Sequence, residues 1–270
     1  MISEFGAEDL RQQWCPELTA GEKLASYCLT EPNAGSDAGA LKTSARRDGD
    51  DYILNGSKIF ISGAGATDCL VVMARTGEEG PKGISAFAID AKLAGISYGR
   101  KEEKLGWNSQ PTRMITFEDV RIPASAILGQ EGDGFRIAMR GLDGGRINIA
   151  TCSVGTAQQA LNNATEYMHE RKQFGQSLAN FQALQFKLAN AATELVAARQ
   201  MVRMAASRLD NNHPDKTTYC AMAKRFATDV GYNVTDEEMQ VFGGNGYIKG
   251  YPMERFLRDN RVPRILEVTN

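Results

Sequence analysis

Histidine and paired cysteines are scarce in this sequence, and their scarcity narrows the possible chemistry. Among 270 residues there are two histidines and five cysteines, and the cysteines are scattered and never spaced as Cys-x-x-Cys. Ser-His-Asp triads and histidine-rich metal sites are therefore poorly supported. Neither a disulfide framework nor a zinc site is indicated, so no metal is expected and a reducing compartment is the default interpretation.

Long apolar runs and an excess of one charge are also absent. No uninterrupted apolar stretch approaches the ~18 residues of a membrane span, and the N-terminal MISEFGAEDLRQQW lacks the layout of a signal peptide. The 31 basic and 33 acidic side chains leave a net charge of -2 without a basic run. Nucleic acid and membrane are therefore not expected as partners, and the sequence predicts a soluble intracellular protein.

Common nucleotide-binding motifs are missing as well. Two stretches are rich in glycine, NAGSDAGA at 33–40 and GGNGYIKG at 243–250. Neither fits G-x-G-x-x-G between a strand and a helix, nor a phosphate loop that ends in Gly-Lys-Ser/Thr. The sequence therefore lacks the usual motifs for binding a nicotinamide dinucleotide or ATP. Taken singly, each stretch is more often a turn than a site.

The first half of the chain, from Leu24 to about Val120, has the pattern of strands. Asn55-Gly56 within DYILNGSKIFIS is typical of a two-residue hairpin turn. Further short apolar runs occupy 69–74, 83–89 and 113–120. Several strands without intervening helices predict an antiparallel β-sandwich or barrel.

Past Gly134 the pattern is helical. Apolar residues follow one stripe in alternating steps of four and three, at Leu184, Leu188, Ala191, Leu195, Ala198, Val202, Ala205 and Leu209. This predicts a helix of about seven turns in an antiparallel bundle. GYNVTDEEMQVFGG at 231–244 predicts a second helix with a left-handed glycine cap. The fold class is therefore α+β, with the break near Gly129 to Gly134.

The stretch YCLTEPNAGSDA at 27–38 is harder to explain as a turn. Its hydroxyls, glycines and backbone N–H groups, in a loop expected between helix and sheet, would allow a flat polar ligand to approach closely. The alternative is that Asn, Gly, Ser and Asp are ordinary loop formers here.

Several motifs in one order resolve this choice. YCLTEPNAGSDA, KIFISGAG (58–65), HERKQFG (169–175), MQVFGGNGY (239–247) and RILEVTN (264–270) together resemble the acyl-CoA dehydrogenases across essentially the whole chain. GWNSQPTRMITFEDVRIP (106–123) and GGRINIATCSVG (144–155) are most similar to the isobutyryl-CoA dehydrogenase branch.

The resemblance implies an FAD enzyme of fatty acid or branched-chain amino acid catabolism. Such enzymes oxidise an acyl-CoA, here a short branched one, to the 2,3-enoyl-CoA and pass electrons to electron-transferring flavoprotein. It further implies a homotetramer, a dimer of dimers, in a bacterial cytoplasm or a mitochondrial matrix. The family fold implies a remnant of an N-terminal helical domain at 1–22, a middle β domain at 23–130 and a C-terminal helical bundle at 131–270. The chain is thus expected to be incomplete at both ends.

Site residues are carried over from the family motifs. Glu267 matches the catalytic base that removes the α-proton while the β-hydride goes to the flavin. Substrate contacts are implied for Ser36, Asp143, Gly144, Gly145 and Arg146. Flavin contacts are implied for Tyr27, Leu29, Thr30, Gly35, Ser36, Phe60, Ile61, Ser62 and Thr269. The resemblance also implies contacts with the FAD of a neighbouring subunit, made by Arg171, Gln173, Phe174, Phe181, Gln182, Gln240, Val241, Phe242, Gly243 and Gly244.

One departure from the motif leaves alternatives open. Val268 follows the base where the family has glycine, and a β-branched residue does not readily take positive φ. A catalytically silent homologue that binds FAD or acyl-CoA is therefore the second hypothesis. A structural module without ligand is the third.

Overall fold

Alternating apolar residues build the first of two compact units in the computed structural model, which describes all 270 residues. This unit comprises residues 1–104 and 108–141. Helices α1 (Ile2–Phe5) and α2 (Glu8–Ala20) precede eight strands. These are β1 (Ala25–Cys28), β2 (Ser44–Asp48), β3 (Asp51–Ser62), β4 (Cys69–Arg75), β5 (Ile84–Asp90), β6 (Ile96–Tyr98), β7 (Thr112–Pro123) and β8 (Ile127–Leu128).

The eight strands form one mixed sheet. Its order is β6-β7-β3-β2-β4-β5-β8, with β1 also paired to β4. The β1–β4 and β2–β4 pairings are parallel, and the others are antiparallel. Strands β4 and β5 are buried on both faces except at their last residue, so they carry continuous apolar runs rather than alternating ones. The predicted β domain is confirmed, and the two parallel pairings are an addition to the antiparallel pattern.

The predicted hairpin turn at Asn55-Gly56 is wrong. Both residues lie inside β3, where the pairing with β7 shifts register between Leu54 and Gly56. The turn between β2 and β3 is instead Gly49-Asp50, since Asp48 pairs with Asp51. A Cβ on Gly56 would come within 2.7 Å of the Thr43 Cα, so this glycine permits a close approach at a β-bulge.

The second unit comprises residues 105–107 and 142–270 and is helical. Helix α3 (Gly134–Glu170) contains the boundary between the two units. The elements that follow it are β9 (Lys172–Gln173), β10 (Gln176–Ser177), α4 (Gln182–Asp210), α5 (Lys216–Val241), α6 (Gly244–Tyr247) and α7 (Met253–Asp259). None of the helices combines the length and the apolar character that crossing a membrane requires.

Small residues form the seam of this bundle. The predicted stripe on α4 is confirmed, because Ala191, Leu195, Ala198, Val202 and Ala205 are buried. They pack with alanines of α3 and α5, whose small side chains let helices approach closely. The predicted left-handed cap of α5 is wrong, because Phe242 caps it in a right-handed conformation and Gly243 has φ 57 and ψ -135. The divisions at 1–22, 23–130 and 131–270 stay predictions.

Candidate active site

The loop of residues 29–43 is fixed to the sheet by a buried ion pair. It connects β1 to β2, which corrects the expectation of a loop between helix and sheet. The Lys58 ammonium, fully buried on β3, donates to the Glu31 carboxylate at 2.8 Å and to the Leu29 carbonyl at 3.0 Å. Glu31 also accepts from the backbone N–H groups of Lys42 and Thr43 at 2.6 and 2.9 Å. Burial opposes ionisation of Glu31, but Lys58 and these donors outweigh it and lower the carboxyl pKa.

The end of β3 lies beside the first turn of this loop. The Ile59 backbone N–H donates to the Thr30 carbonyl at 2.9 Å. Ile61 is buried, whereas Ser62 is exposed and Phe60 presents a side chain that is 64% exposed. Phe60 has φ 58, a strained value for an aromatic residue that points to a constrained site.

The remaining predicted flavin residues of this unit line the same loop or strand β1. Leu29 is buried, and the Tyr27 hydroxyl donates to the Ala138 carbonyl at 3.3 Å. Gly35 and Ser36 are exposed, and a Cβ on Gly35 would meet no atom within 4 Å. The loop therefore offers an accessible hydroxyl and open backbone, as a flat polar ligand requires.

In the second unit, Glu267 meets the predicted substrate residues of α3. Its half-buried carboxylate packs against Gly145, where any Cβ would overlap the carboxylate oxygens. One turn of helix contains Asp143 and Arg146, which form an ion pair at 3.1 Å. The Thr217 hydroxyl of α5 donates to the other oxygen of Asp143 at 2.8 Å. Residues far apart in sequence thus form one small acid–base cluster.

Burial dominates the electrostatics of Glu267. It raises the pKa of the carboxyl above the usual 4.5, while the charges of Arg146 and then Lys224 oppose the rise. A carboxylate in this setting is a stronger base than one in water, yet its cationic neighbours still favour ionisation. The cluster is therefore equipped to accept a proton from a bound ligand.

Val268 adopts the conformation that the sequence made unfavourable. Its φ is 76, directly after Glu267 with φ 55. Two consecutive left-handed residues without glycine are costly, at about 1–2 kcal/mol each. A β-branched residue does not readily take positive φ, so the segment holds Val268 there under strain.

Relief of this strain is measurable. We expect Val268→Gly to raise the free energy of unfolding by about 0.5–1 kcal/mol, because about 1–2 kcal/mol of strain exceeds the flexibility cost of glycine. The melting temperature should then rise by up to about 3 °C. Val196→Gly on the exposed face of α4 is the matched control and should lower it. If the melting temperature falls equally in both variants, Val268 is not strained.

A cavity of about 390 Å³ lies where helices α3, α5 and α6 end or begin. Six of the predicted FAD residues line it. They are Arg171, Gln173, Val241, Phe242, Gly243 and Gly244. The exposed Gln240 is not among the lining residues, and Gln182 begins α4. Phe174 and Phe181 contact each other edge to face, with ring centres 6.2 Å apart.

Three residues of this cavity, Tyr167, Leu178 and Asn245, were not predicted from sequence. The Asn245 amide donates to the Tyr167 hydroxyl at 2.8 Å, and the Tyr167 ring stacks on Phe242 with centres 4.2 Å apart. Asn245 lies within the family motif MQVFGGNGY, so the motif could have indicated it as an FAD residue. Tyr167 is one apolar position among many on α3, so its pattern indicates only a core residue.

The donors present fit the polar parts of FAD. Gly243 and Gly244 leave the backbone open, since a Cβ on either would meet no atom within 4 Å. Arg171 can present two parallel N–H groups to a diphosphate, and Tyr167 and Asn245 add polar contacts. The Gly243 N–H already donates to the Gln240 carbonyl at 3.0 Å, so the Gly244 N–H is the backbone donor that suits a phosphate oxygen here.

Comparisons with known proteins agree with this geometry. Residues 26–120 match the family described as acyl-CoA dehydrogenase, middle domain, and residues 132–270 match acyl-CoA dehydrogenase, C-terminal domain. The chain is 56% identical to the mitochondrial isobutyryl-CoA dehydrogenase of Dictyostelium discoideum over 99% of its own length, and 52% identical to that of Bos taurus over 100%. It spans 64% and 65% of those two relatives.

A solved structure gives the same result for the fold. The structure of butyryl-CoA dehydrogenase from Megasphaera elsdenii superimposes with a TM-score of 0.97 at 44% identity. The superposition covers 100% of this chain and 70% of that one. The sequence motifs, the two domain matches and the fold agree, and the chain belongs to the acyl-CoA dehydrogenase family.

Proposed function

We propose that this chain carries out FAD-dependent oxidation of a short, branched acyl-CoA to its 2,3-enoyl-CoA, with Glu267 as the base. The observation that carries the proposal is the half-buried Glu267 carboxylate seated on Gly145 beside Arg146. Two relatives named isobutyryl-CoA dehydrogenase support a branched acyl group.

The base removes the α-proton of the thioester. Burial strengthens Glu267 as a base, and Gly145 gives its carboxylate the space to lie on the helix. The backbone N–H of Glu267 makes no hydrogen bond within the chain, so it can donate to the thioester oxygen as negative charge develops there. Proton removal and stabilisation of the resulting enolate thus come from one residue.

Each unit would contribute its own contacts to FAD. In the first unit, Thr30, Ser36 and Phe60 to Ser62 would contact the flavin ring. In the second unit, Thr269 would be a flavin contact next to the base. Arg171, Gln173 and Gln240 to Gly244 would hold the adenosine diphosphate part belonging to a neighbouring subunit. When bound, FAD supplies the acceptor for the β-hydride.

A second subunit and an electron acceptor complete the proposal. Phe174 and Tyr247 are 93% and 82% exposed, an unusual state for aromatic rings that a partner subunit would cover. We infer a homo-oligomer, a dimer of dimers in this family, and electron-transferring flavoprotein as the partner that takes the electrons.

Anaerobic mixing of the FAD-loaded protein with isobutyryl-CoA tests the proposal. Loss of the oxidised flavin absorbance, together with formation of the enoyl-CoA by mass spectrometry, is the expected result. Butyryl-CoA and a long-chain acyl-CoA in parallel test the acyl group. The outcome against the proposal is bound flavin that no acyl-CoA bleaches.

That outcome would favour a second candidate, a catalytically silent homologue that binds FAD or acyl-CoA. The observation in its favour is Val268 at positive φ, where a side chain stands beside the base. A preparation that binds no FAD under any condition would instead leave only the structural module.

A further inference from the structure

Lys224 of α5 is a buried lysine whose partners lie on the segment that carries the base. Only 3% of the residue is exposed. Its ammonium donates to the Val268 carbonyl at 2.7 Å and to the Asn270 side-chain oxygen at 2.8 Å. This side chain therefore links the backbone on the C-terminal side of Glu267 directly to α5.

The segment needs such a tether because its backbone is strained. Glu267 and Val268 are consecutive non-glycine residues at positive φ, and conformations of this kind persist only where the surroundings impose them. The ends of the segment are held separately on α5. Arg264 pairs with Asp229 at 2.8 Å, and the Asn270 amide donates to the Thr228 hydroxyl at 2.9 Å.

Placing a lysine here has an electrostatic cost. Burial lowers the pKa of Lys224 to about 8. The negative charge of Glu267 opposes this shift, whereas the positive charge of Arg146 lowers the pKa further. Lysine is among the residues least often fully buried, so a solvated surface charge does not explain Lys224. Its two acceptors on the base segment do.

We propose that Lys224 is a positioning residue, which holds the Glu267 turn against Gly145 through the Val268 carbonyl and Asn270. The proposal rests on the proposed function of Glu267 as the base. In this role Lys224 acts through the turn, by its bonds to Val268 and Asn270, and not on substrate or cofactor directly. Its charge also favours the ionised, basic form of Glu267.

Two substitutions test the role. Lys224→Met keeps the apolar stem and removes the donor, while Lys224→Gln keeps a donor that ends one bond short of the carbonyl. We expect either to slow anaerobic flavin reduction at saturating isobutyryl-CoA at least about tenfold, which corresponds to one lost charge-assisted hydrogen bond. FAD content should not change. Lys187→Met on the exposed face of α4 is the matched control and should leave the rate unchanged.

Two further readouts do not depend on flavin reduction. Backbone deuterium exchange over 265–270 should become faster in both variants without substrate. Exchange of the α-hydrogens of 3-thiabutyryl-CoA, which carries sulfur at the β position, should become slower in D2O. The rate of this α-hydrogen exchange should fall at low pH as Glu267 becomes protonated. In the variants this fall should begin at a higher pH, because loss of the Lys224 charge raises the pKa of Glu267. Replacing a lysine with a merely structural role would not shift this part of the pH profile.

The outcomes separate this proposal from the one on which it rests. Wild-type rates and unchanged deuterium exchange in a folded Lys224 variant overturn the positioning role, while Glu267→Gln still decides the base. If Glu267→Gln retains α-hydrogen exchange, the base assignment fails first. If Lys224→Met does not fold, Lys224→Gln carries the test with the same expected results.

Discussion

Glu267→Gln is expected to lower the rate constant of anaerobic flavin reduction by isobutyryl-CoA about 10³-fold, within the range that general bases contribute. Glutamine fills the same half-buried space against Gly145 but cannot accept the α-proton. FAD content and isobutyryl-CoA binding should stay near wild type, because the amide replaces the carboxylate at nearly equal volume. Stopped-flow absorbance of the oxidised flavin measures the effect.

Glu194→Gln is the matched control, since that glutamate is exposed on α4 of the same bundle. It should reduce at the wild-type rate. For wild type, the rate should fall as the pH drops through the pKa of Glu267, which burial raises above 4.5, because the base must be ionised. The rate in the Glu267→Gln variant should not show this fall at low pH. If flavin is reduced as fast in Glu267→Gln as in Glu194→Gln, another group is the base.

Gly145→Ala is expected to slow flavin reduction about 10²-fold, the loss that a misplacement of about 1 Å can cause. The added methyl would occupy the space of the Glu267 carboxylate. Because that carboxylate ends a flexible side chain, it moves aside and the helix does not unfold. Alanine is also favoured over glycine inside a helix by about 1 kcal/mol. Activity should therefore fall while the melting temperature stays equal or rises.

Gly155→Ala supplies the comparison on the same helix α3. A Cβ at Gly155 meets no atom within 4 Å, and the residue is exposed. Its melting temperature should change as that of Gly145→Ala does, while its rate of reduction stays at the wild-type value. Equal rates in the two variants would mean that Glu267 does not work from its place against Gly145.

Periodicity predicted the large elements well. The α4 stripe from Leu184 to Leu209 lies within one helix, because a seam that repeats every three or four residues can be buried only in that way. The runs at 69–74, 83–89 and 113–120 are strands β4, β5 and β7. Asn55-Gly56 misled because glycine serves a turn and a bulge equally well, and only the nearby Thr43 distinguishes them.

Polar residues that act from inside the protein could not be predicted. Lys58, Glu31 and Lys224 read as surface charges in sequence, because most lysines and glutamates are solvated. Their roles come from burial and from partners 11 to 46 residues away along the chain. The family motifs predicted Glu267 and Asp143 to Arg146, and the structure brings them together, but their catalytic roles stay predictions.

The Lys58–Glu31 pair has a consequence for how the loop of residues 29–43 can evolve. Glu31 and Lys58 together close residues 32–41 into a short ring, because the Glu31 carboxylate accepts from the Lys42 and Thr43 backbone N–H groups while Lys58 holds that carboxylate beside Leu29. Closing a ring twice as long costs only about 0.6 kcal/mol more, whereas removing one partner of a buried ion pair costs about 3–5 kcal/mol. Insertions between Pro32 and Leu41 should therefore cost the fold far less free energy than substitutions at Glu31 or Lys58.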